Sequence, residues 1–158
     1  IHQHRGRNTP AMKKLCILVT CVLLAACSSK PIPFTDYLVK NLLRDNLEGM
    51  AKPPIFSVED ITVKTLESTE TTGIATADVR LRFPEDFDTV VSLRRLEPFN
   101  VAYLQYKSSF GKFTAGESQV HHAEYQFERR DGKWFIVGSR AIAAPEIFHA
   151  AGSPATKE

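Results

Sequence analysis

The chain has 158 residues, a formal net charge of +2 and three cysteines, the last of which is Cys27. Because no cysteine follows Cys27, the larger part of the chain cannot be a disulfide scaffold, a thiol enzyme or a cysteine-based zinc protein. The positive charge belongs to the first 26 residues, since the remaining 132 carry 16 basic and 18 acidic side chains, so it does not indicate nucleic-acid binding.

The first predicted element is an apolar segment with the anatomy of an export signal. Two lysines follow Met12, and residues 15–26 form an apolar stretch that ends in small side chains. A secretory apolar region measures about 7–15 residues, whereas a helix that spans a bilayer needs about 20. The stretch therefore predicts export. Residues 1–11 are predicted to be an upstream extension, although their arginines also suit a long cationic start of the signal.

The residues Leu24-Ala25-Ala26-Cys27 resemble the lipobox of Gram-negative bacterial lipoproteins. The resemblance implies that residues 1–26 are removed and that Cys27 becomes a lipid-modified N-terminus. Two or three acyl chains, unlike one, hold a protein stably at a membrane. Ser28 in place of aspartate favours the periplasmic side of the outer membrane, with the inner membrane as the alternative. The membrane is thus an expected partner, reached through a tether of residues 27–33.

A helix is predicted directly after the tether. Leucine and valine recur at three- and four-residue spacing through residues 38–47, a period typical of an amphipathic helix. Thr35 or Asp36 can cap its N-terminus, because a side-chain oxygen there accepts an unpaired backbone N–H. Gly49 is expected to end it.

The apolar period then changes to two, which predicts strands. The strongest pattern covers residues 75–83, where five apolar side chains alternate with Thr76, Asp78, Arg80 and Arg82. Further strands are predicted over residues 58–64, 101–106, 119–129 and 134–142. The last strand is nearly all apolar, which favours a central position in the sheet. An Asp131-Gly132 pair before it predicts a type I′ hairpin turn.

Three segments are less regular. A polar turn is predicted over residues 67–73. Residues 85–98 leave two possibilities open, since their β-branched run favours a strand and the spacing of Val90 and Leu93 favours a short helix. One loose turn is predicted over residues 145–150, within a flexible tail of residues 143–158.

These elements predict a single α+β domain over residues 34–142, with an N-terminal helix packed on a curved antiparallel sheet of about four or five strands. The order of elements, and a final hairpin that reads Arg130-Asp131-Gly132-Lys133-Trp134, resemble the small cystatin-like and NTF2-like domains. One clear helix before the sheet favours the cystatin-like form, in which the pocket between helix and sheet is shallow or filled. Such domains include enzymes, carriers and adaptors, so the fold does not settle the function.

Two groups of side chains are candidate binding surfaces. Arg80 and Arg82, with Arg94 and Arg95, could form a basic face for anionic headgroups or an acidic partner, although outward charges are ordinary on a half-buried sheet. An aromatic-rich segment is typical of interfaces and ligand pockets, and equally of a filled sheet. Its members are Phe99, Tyr103, Tyr106, Phe110 and Phe113.

A third group contains His121, His122 and Glu124. Successive residues of a strand point to opposite faces, so the two histidines cannot easily share one metal ion. An acid–base role would need a partner from another strand, such as Asp78 or Tyr103. The carboxylates of residues 85–88 are interpreted as a solvated turn. No metal site, cofactor or catalytic residue is predicted.

The leading hypothesis is a lipid-anchored envelope lipoprotein that acts as a non-catalytic binding or assembly module for another envelope protein. The alternative is a small-ligand carrier or weak enzyme with a pocket between helix and sheet, lined by Tyr103, Tyr106 and Trp134 and by His121 or His122. A pocket of several hundred cubic ångströms with convergent polar side chains would favour the alternative. A filled sheet with an exposed aromatic patch would favour the first hypothesis. An inhibitor of a foreign enzyme is a third option, against which the missing disulfides count.

Overall fold

The computed structural model describes residues 30–151, and the lipobox with Cys27 lies outside these residues. The elements of the described part are α1 (Asp36–Glu48), β1 (Ser57–Ser68), β2 (Thr72–Arg82), α2 (Phe87–Leu93), α3 (Val101–Phe110), β3 (Ser118–Arg130), β4 (Lys133–Ala141) and β5 (Glu146–Phe148). The predicted α+β class is confirmed. Within residues 30–151, no helix has the length and apolar character that crossing a membrane requires.

Helix α1 forms where the leucine spacing predicts it. The Thr35 side chain accepts the backbone N–H of Leu38 at 3.3 Å, and Gly49 follows as the C-terminal cap. Val39 and Leu43 are at most 1% exposed and bury the apolar side of the helix, which packs on β1 and touches β4. Burial of two such side chains contributes about 3–6 kcal/mol to stability.

The strands form one antiparallel sheet in the order β1-β2-β3-β4, and β5 pairs with β3. Strand β2 shows the predicted alternation, because its inward residues are at most 2% exposed; they are Ala75, Ala77, Val79 and Leu81. The turn between β3 and β4 is also as predicted. Asp131 and Gly132 have φ values of 51° and 76°, the left-handed values that a type I′ turn requires.

The predicted central position of residues 134–142 is wrong. Strand β4 pairs with β3 alone and forms an edge of the sheet, and Trp134 is its one buried residue. Phe135 and Val137 remain 46% and 44% exposed. A run of apolar residues is typical of a strand buried on both faces. In β4, however, Trp134 alone packs into the core, and the other apolar side chains remain partly or fully exposed to solvent.

The prediction of a strand over residues 101–106 is also wrong, since these residues begin helix α3. The Asn100 side chain caps the helix by accepting the backbone N–H of Ala102 at 2.8 Å. Tyr106 and Phe110 lie one turn apart and are both buried, so the helical spacing of the aromatic residues outweighs their preference for strands.

Two other segments take definite structures. Of the two possibilities for residues 85–98, the short helix is present as α2, and Asp86 caps it by accepting both the N–H and the hydroxyl of Thr89 at 2.8 Å. The loose turn predicted over residues 145–150 is instead strand β5, which pairs with residues 118–120 of β3.

Aromatic rings fill the end of the sheet where β2 leads into α2. Phe83 is fully buried and stacks on Phe113, with ring centroids 4.1 Å apart. Phe56 and Phe110 approach Phe83 at 5.8 and 5.5 Å, and Phe87 meets the edge of Phe113. Much of the aromatic segment therefore belongs to the core.

Candidate functional site

A cleft of about 660 Å³ lies between the sheet and the helices. Its floor is the inward face of β2 and β3, and its walls come from the end of α1, from α3 and from the chain that follows β4. The residues that define it best are Leu47, Leu81, Ser109, His121, Tyr125 and Pro145. The volume falls within the range of about 300–1,000 Å³ that is usual for small-ligand sites.

The polar chemistry of the cleft floor centres on His121. The amide nitrogen of Gln119 donates to the Phe110 carbonyl at 2.8 Å and to Glu117 at 2.7 Å. The Gln119 oxygen therefore accepts from Nε2 of His121, 2.8 Å away. Burial, with a smaller contribution from His122, lowers the pKa of His121. The imidazole is consequently neutral near pH 7, with Nδ1 as its acceptor nitrogen.

Tyr125 adds a hydrogen-bond donor to the same floor. Burial raises the pKa of its phenol, so the hydroxyl keeps its proton through the neutral range. Apart from these two polar groups the floor is mainly aliphatic, with Val79, Leu81 and Ala123 between them. The walls add further polar side chains, namely Asn46, Gln105, Ser108, Ser109 and Ser139. The cleft therefore suits a molecule with both apolar and polar parts.

The aromatic residues predicted to line a pocket lie elsewhere. Tyr106 is 6% exposed and belongs to the core, and the ring of Tyr103 meets Phe87 edge-on at 5.4 Å. Trp134 packs against Phe34 at 4.7 Å and lines a separate cleft of about 590 Å³ between α1 and β4. Of the predicted lining, the cleft over β2 and β3 includes His121 and borders His122, whose ring bonds to Asp78, and it includes none of these aromatic residues.

His122 lies on the opposite face of the sheet, as the alternation of strand residues predicts. Its Nδ1 is 2.7 Å from Oδ1 of Asp78 and its Nε2 is 3.2 Å from Oε1 of Glu146. Lys64 approaches Oδ2 of Asp78 at 3.1 Å. The hydrogen bond with Asp78 raises the pKa of His122, and the same bond lowers the pKa of Asp78. No cluster of potential metal ligands occurs among residues 30–151.

Arg80 and Arg82 project from the outer face of β2 but already have partners in the domain. The guanidinium of Arg80 lies 5.1 Å from the ring centroid of Phe148, and Arg82 is 3.6 Å from Glu59. Arg94 donates to the backbone carbonyl of Pro53. In the predicted basic face, the charge of Arg82 is therefore paired with a carboxylate. Arg80 and Arg94 already contact an aromatic ring and a backbone carbonyl.

An exposed apolar surface occupies the end of α2, the start of α3 and the loop between them. Leu93, Phe99, Val101 and Leu104 are 75%, 91%, 79% and 51% exposed. We call these four residues the apolar tip. Val101 and Leu104 share one face of α3 through their three-residue spacing, and exposed apolar surface commonly marks an interaction site. Of these four residues, Phe99 alone is predicted from the sequence as a candidate binding residue. In the predicted strand over residues 101–106, Val101 and Leu104 would point to opposite faces, whereas in the helix they share one face.

The chain enters the domain at the other end of the sheet. The indole N–H of Trp134 donates to the carbonyl of Ile32 at 2.8 Å, and Phe34 packs on Phe127 at 5.1 Å. Phe127 pairs with Gly73 at the start of β2, whereas α2 and the apolar tip follow the end of β2. A strand of this length, 11 residues, extends about 36 Å at 3.3 Å per residue.

Comparisons with known proteins supply no relative. No family model, no curated protein and no solved structure matches the chain.

Proposed function

We propose that the protein is a lipid-anchored lipoprotein on the periplasmic side of the outer membrane, and that its domain binds another envelope protein without catalysing a reaction. The observation that carries this proposal is the apolar tip, whose four large side chains are all more than half exposed. Exposed apolar patches commonly mark interaction sites, and aromatic side chains such as Phe99 are enriched at interfaces.

The position of the tip supports a partner beyond the protein's own lipid anchor. The chain enters the domain at Ile32, next to Trp134, whereas Tyr103, which lies between two tip residues, meets Phe87 shortly after the end of β2. Residues 28–31 reach at most about 14 Å when extended, at up to 3.6 Å per residue. A domain on so short a tether holds its entry end near the membrane and presents the far end to other components.

Crosslinking in the native envelope, followed by mass spectrometry, tests this proposal. We expect one reproducible protein partner for the wild type and a loss of about tenfold or more in its recovery for Phe99→Ala and Leu104→Ala, as for the removal of interface anchors. Phe135→Ala is the matched control, because Phe135 is also an exposed aromatic residue, 46% exposed, but belongs to β4. Equal recovery of the partner with all three variants would contradict the proposal.

The cleft supports a second candidate function, a carrier of a small molecule. Its volume of about 660 Å³ and its polar pair, His121 and Tyr125, fit a compact ligand with both apolar and polar parts. Native mass spectrometry of the purified protein should then show a bound molecule, which Ser109→Trp displaces by filling the cleft from its exposed wall. A ligand retained by this variant would argue against the cleft.

We further propose that the domain is a cystatin-like variant. The packing of α1 on an antiparallel sheet supports this assignment. The two helices between β2 and β3 are additions to the single-helix form that the sequence predicts, and they carry the apolar tip.

A further inference from the structure

Residues 142–149, which we call the C-terminal strap, are attached to β3 along its outer edge. The backbone N–H of Ile142 donates to the carbonyl of His122 at 3.0 Å, and β5 adds three residues of strand pairing. At the far end, His149 lies 3.5 Å from the carboxylate of Glu117. All eight strap residues are exposed, so polar contacts and backbone pairing hold the strap, with little help from buried side chains.

The strap is also a side wall of the cleft. Ala143 and Pro145 line the cleft directly, and they continue the wall begun by Ser139 and Ala141 at the end of β4. Release of the strap would therefore widen the cleft from the side while the helices and the four long strands keep their places.

His122 lies where the strap meets the sheet, with a carboxylate at each ring nitrogen: Asp78 at Nδ1 and Glu146 at Nε2. An imidazolium has two N–H donors and serves both carboxylates, whereas a neutral imidazole has one. On deprotonation the proton stays with the shorter Asp78 bond. Nε2 then turns a lone pair toward the Glu146 carboxylate, so the contact between strap and sheet becomes repulsive.

The other charged groups on this face are paired with groups other than Glu146. Lys64 pairs with Asp78 at 3.1 Å, and Arg140 pairs with Glu124 at 3.2 Å. Arg80 is placed over the ring of Phe148, and His121 points to the other face. Of the cations in residues 30–151, the one within 4 Å of Glu146 is His122.

We propose that the C-terminal strap is a pH-sensitive gate of the cleft, which opens rarely while His122 is protonated and more often when it is neutral. The gating role rests on the cleft being a ligand site, as in the second candidate function, whereas the opening of the strap does not. Because the bond with Asp78 raises the pKa of His122, the contribution of the His122–Glu146 contact is complete below about pH 6.5, the unperturbed value. This contribution is lost as the pH rises through the raised pKa.

Amide hydrogen exchange of the full-length protein, expressed as protection factors, measures release of the strap. Between about pH 5.5 and 8.5 we expect the protection of Ile142 and of residues 146–148 to fall about 1.5- to 5-fold, the range over which a partly exposed ion pair shifts an equilibrium. Glu146→Gln should remove this pH dependence when both compared proteins also carry His149→Gln, which takes away the strap's second histidine–carboxylate contact. Glu124→Gln, a charge change on the same face outside the strap contact, should preserve it.

Two results would overturn the gate. One concerns the protection of the strap, with the protection of the β2–β3 pairing constant as the control. The gate is overturned if the strap protection does not vary with pH in the wild type, or if it varies equally in the compared Glu146→Gln protein. The other concerns access to the cleft. The small uncharged nitroxide TEMPOL should enhance relaxation of the Leu81 methyl groups more at high pH, with the core residue Leu43 as reference. Strap release without this change would show that the strap does not control the cleft. Neither readout requires a natural ligand or an envelope partner.

Discussion

Phe83 and Phe99 show that position alone decides what a phenylalanine does in this chain. The first is fully buried among other rings, and the second is 91% exposed at the start of α3. We expect Phe83→Ala to lower the free energy of unfolding by about 3–5 kcal/mol, because it leaves a cavity. Phe99→Ala should change it by less than about 0.5 kcal/mol.

Chemical denaturation of both variants checks this pair. The midpoint should fall sharply for Phe83→Ala and remain near the wild-type value for Phe99→Ala. A strongly destabilised Phe99→Ala protein would mean that this ring packs within the domain. Loss of the crosslinked partner in that variant would then reflect unfolding and not the removal of a contact.

The residue scale also shows where prediction from sequence succeeds. The period of two in β2 identifies its buried side chains, and it places His121 and His122 on opposite faces. Asp78 is also predicted as a possible partner from another strand, and the structure confirms this contact for His122 at 2.7 Å, 44 residues away in the chain. The sequence does not indicate Glu146, which belongs to a segment predicted as a turn. Contacts of this kind depend on the register of the sheet, which a single sequence does not specify.

At the scale of single elements, α2 depends on its N-terminal cap. The Asp86 carboxylate accepts two hydrogen bonds from Thr89, and the backbone bond, followed by the hydroxyl bond, lowers the pKa of Asp86. Asp86→Ala should therefore destabilise the protein by about 0.5–2 kcal/mol. Thermal unfolding at neutral pH measures this loss.

Acid dependence gives the same cap a sharper test. Because the folded pKa of Asp86 is depressed, its stabilisation is present above the ordinary value of 3.8 and is lost as the pH falls through the folded pKa. Asp86→Asn keeps the acceptor oxygen but cannot titrate, so it should lose less stability in acid than the wild type. Asp88 is an 83% exposed carboxylate, so Asp88→Asn should lose as much stability in acid as the wild type. If this control also lost less stability in acid, the effect would come from the change in net charge and not from the cap.

The elements that the sequence misjudged share a physical cause. Residues 101–106 contain β-branched and aromatic side chains that favour strands, yet the Asn100 cap and the burial of Tyr106 select a helix. Strand β4 is apolar but lies at an edge, since no other described strand pairs with its far side; its Trp134 packs into the core. In both cases packing against distant parts of the chain outweighs the local preference.

At the scale of the whole molecule, the lipoprotein proposal depends on one side chain, Cys27. Cys27→Ala should abolish the acyl modification and leave the N-terminal 26 residues attached, because the resemblance to a lipobox assigns both events to this cysteine. The intact mass of the membrane-extracted protein measures both changes.

Two other cysteines, Cys16 and Cys21, provide matched controls within the apolar stretch. Cys16→Ala and Cys21→Ala should leave the processed, acylated mass of the remaining protein as in the wild type. A wild-type protein without acyl chains would refute the anchor while leaving the apolar tip and the cleft as binding surfaces.

The bond between Trp134 and Ile32 has a mechanical consequence. Any pull on the N-terminal end of the chain enters the domain at Ile32, where the indole holds the backbone carbonyl at 2.8 Å. The load then reaches the β3–β4 hairpin from its turn, a direction in which strands unzip one bond at a time. Trp134 is the sole tryptophan of the chain, so its fluorescence reports on this junction alone. In the proposed lipid-anchored protein, tension on the N-terminal segment should therefore change this one fluorescence signal.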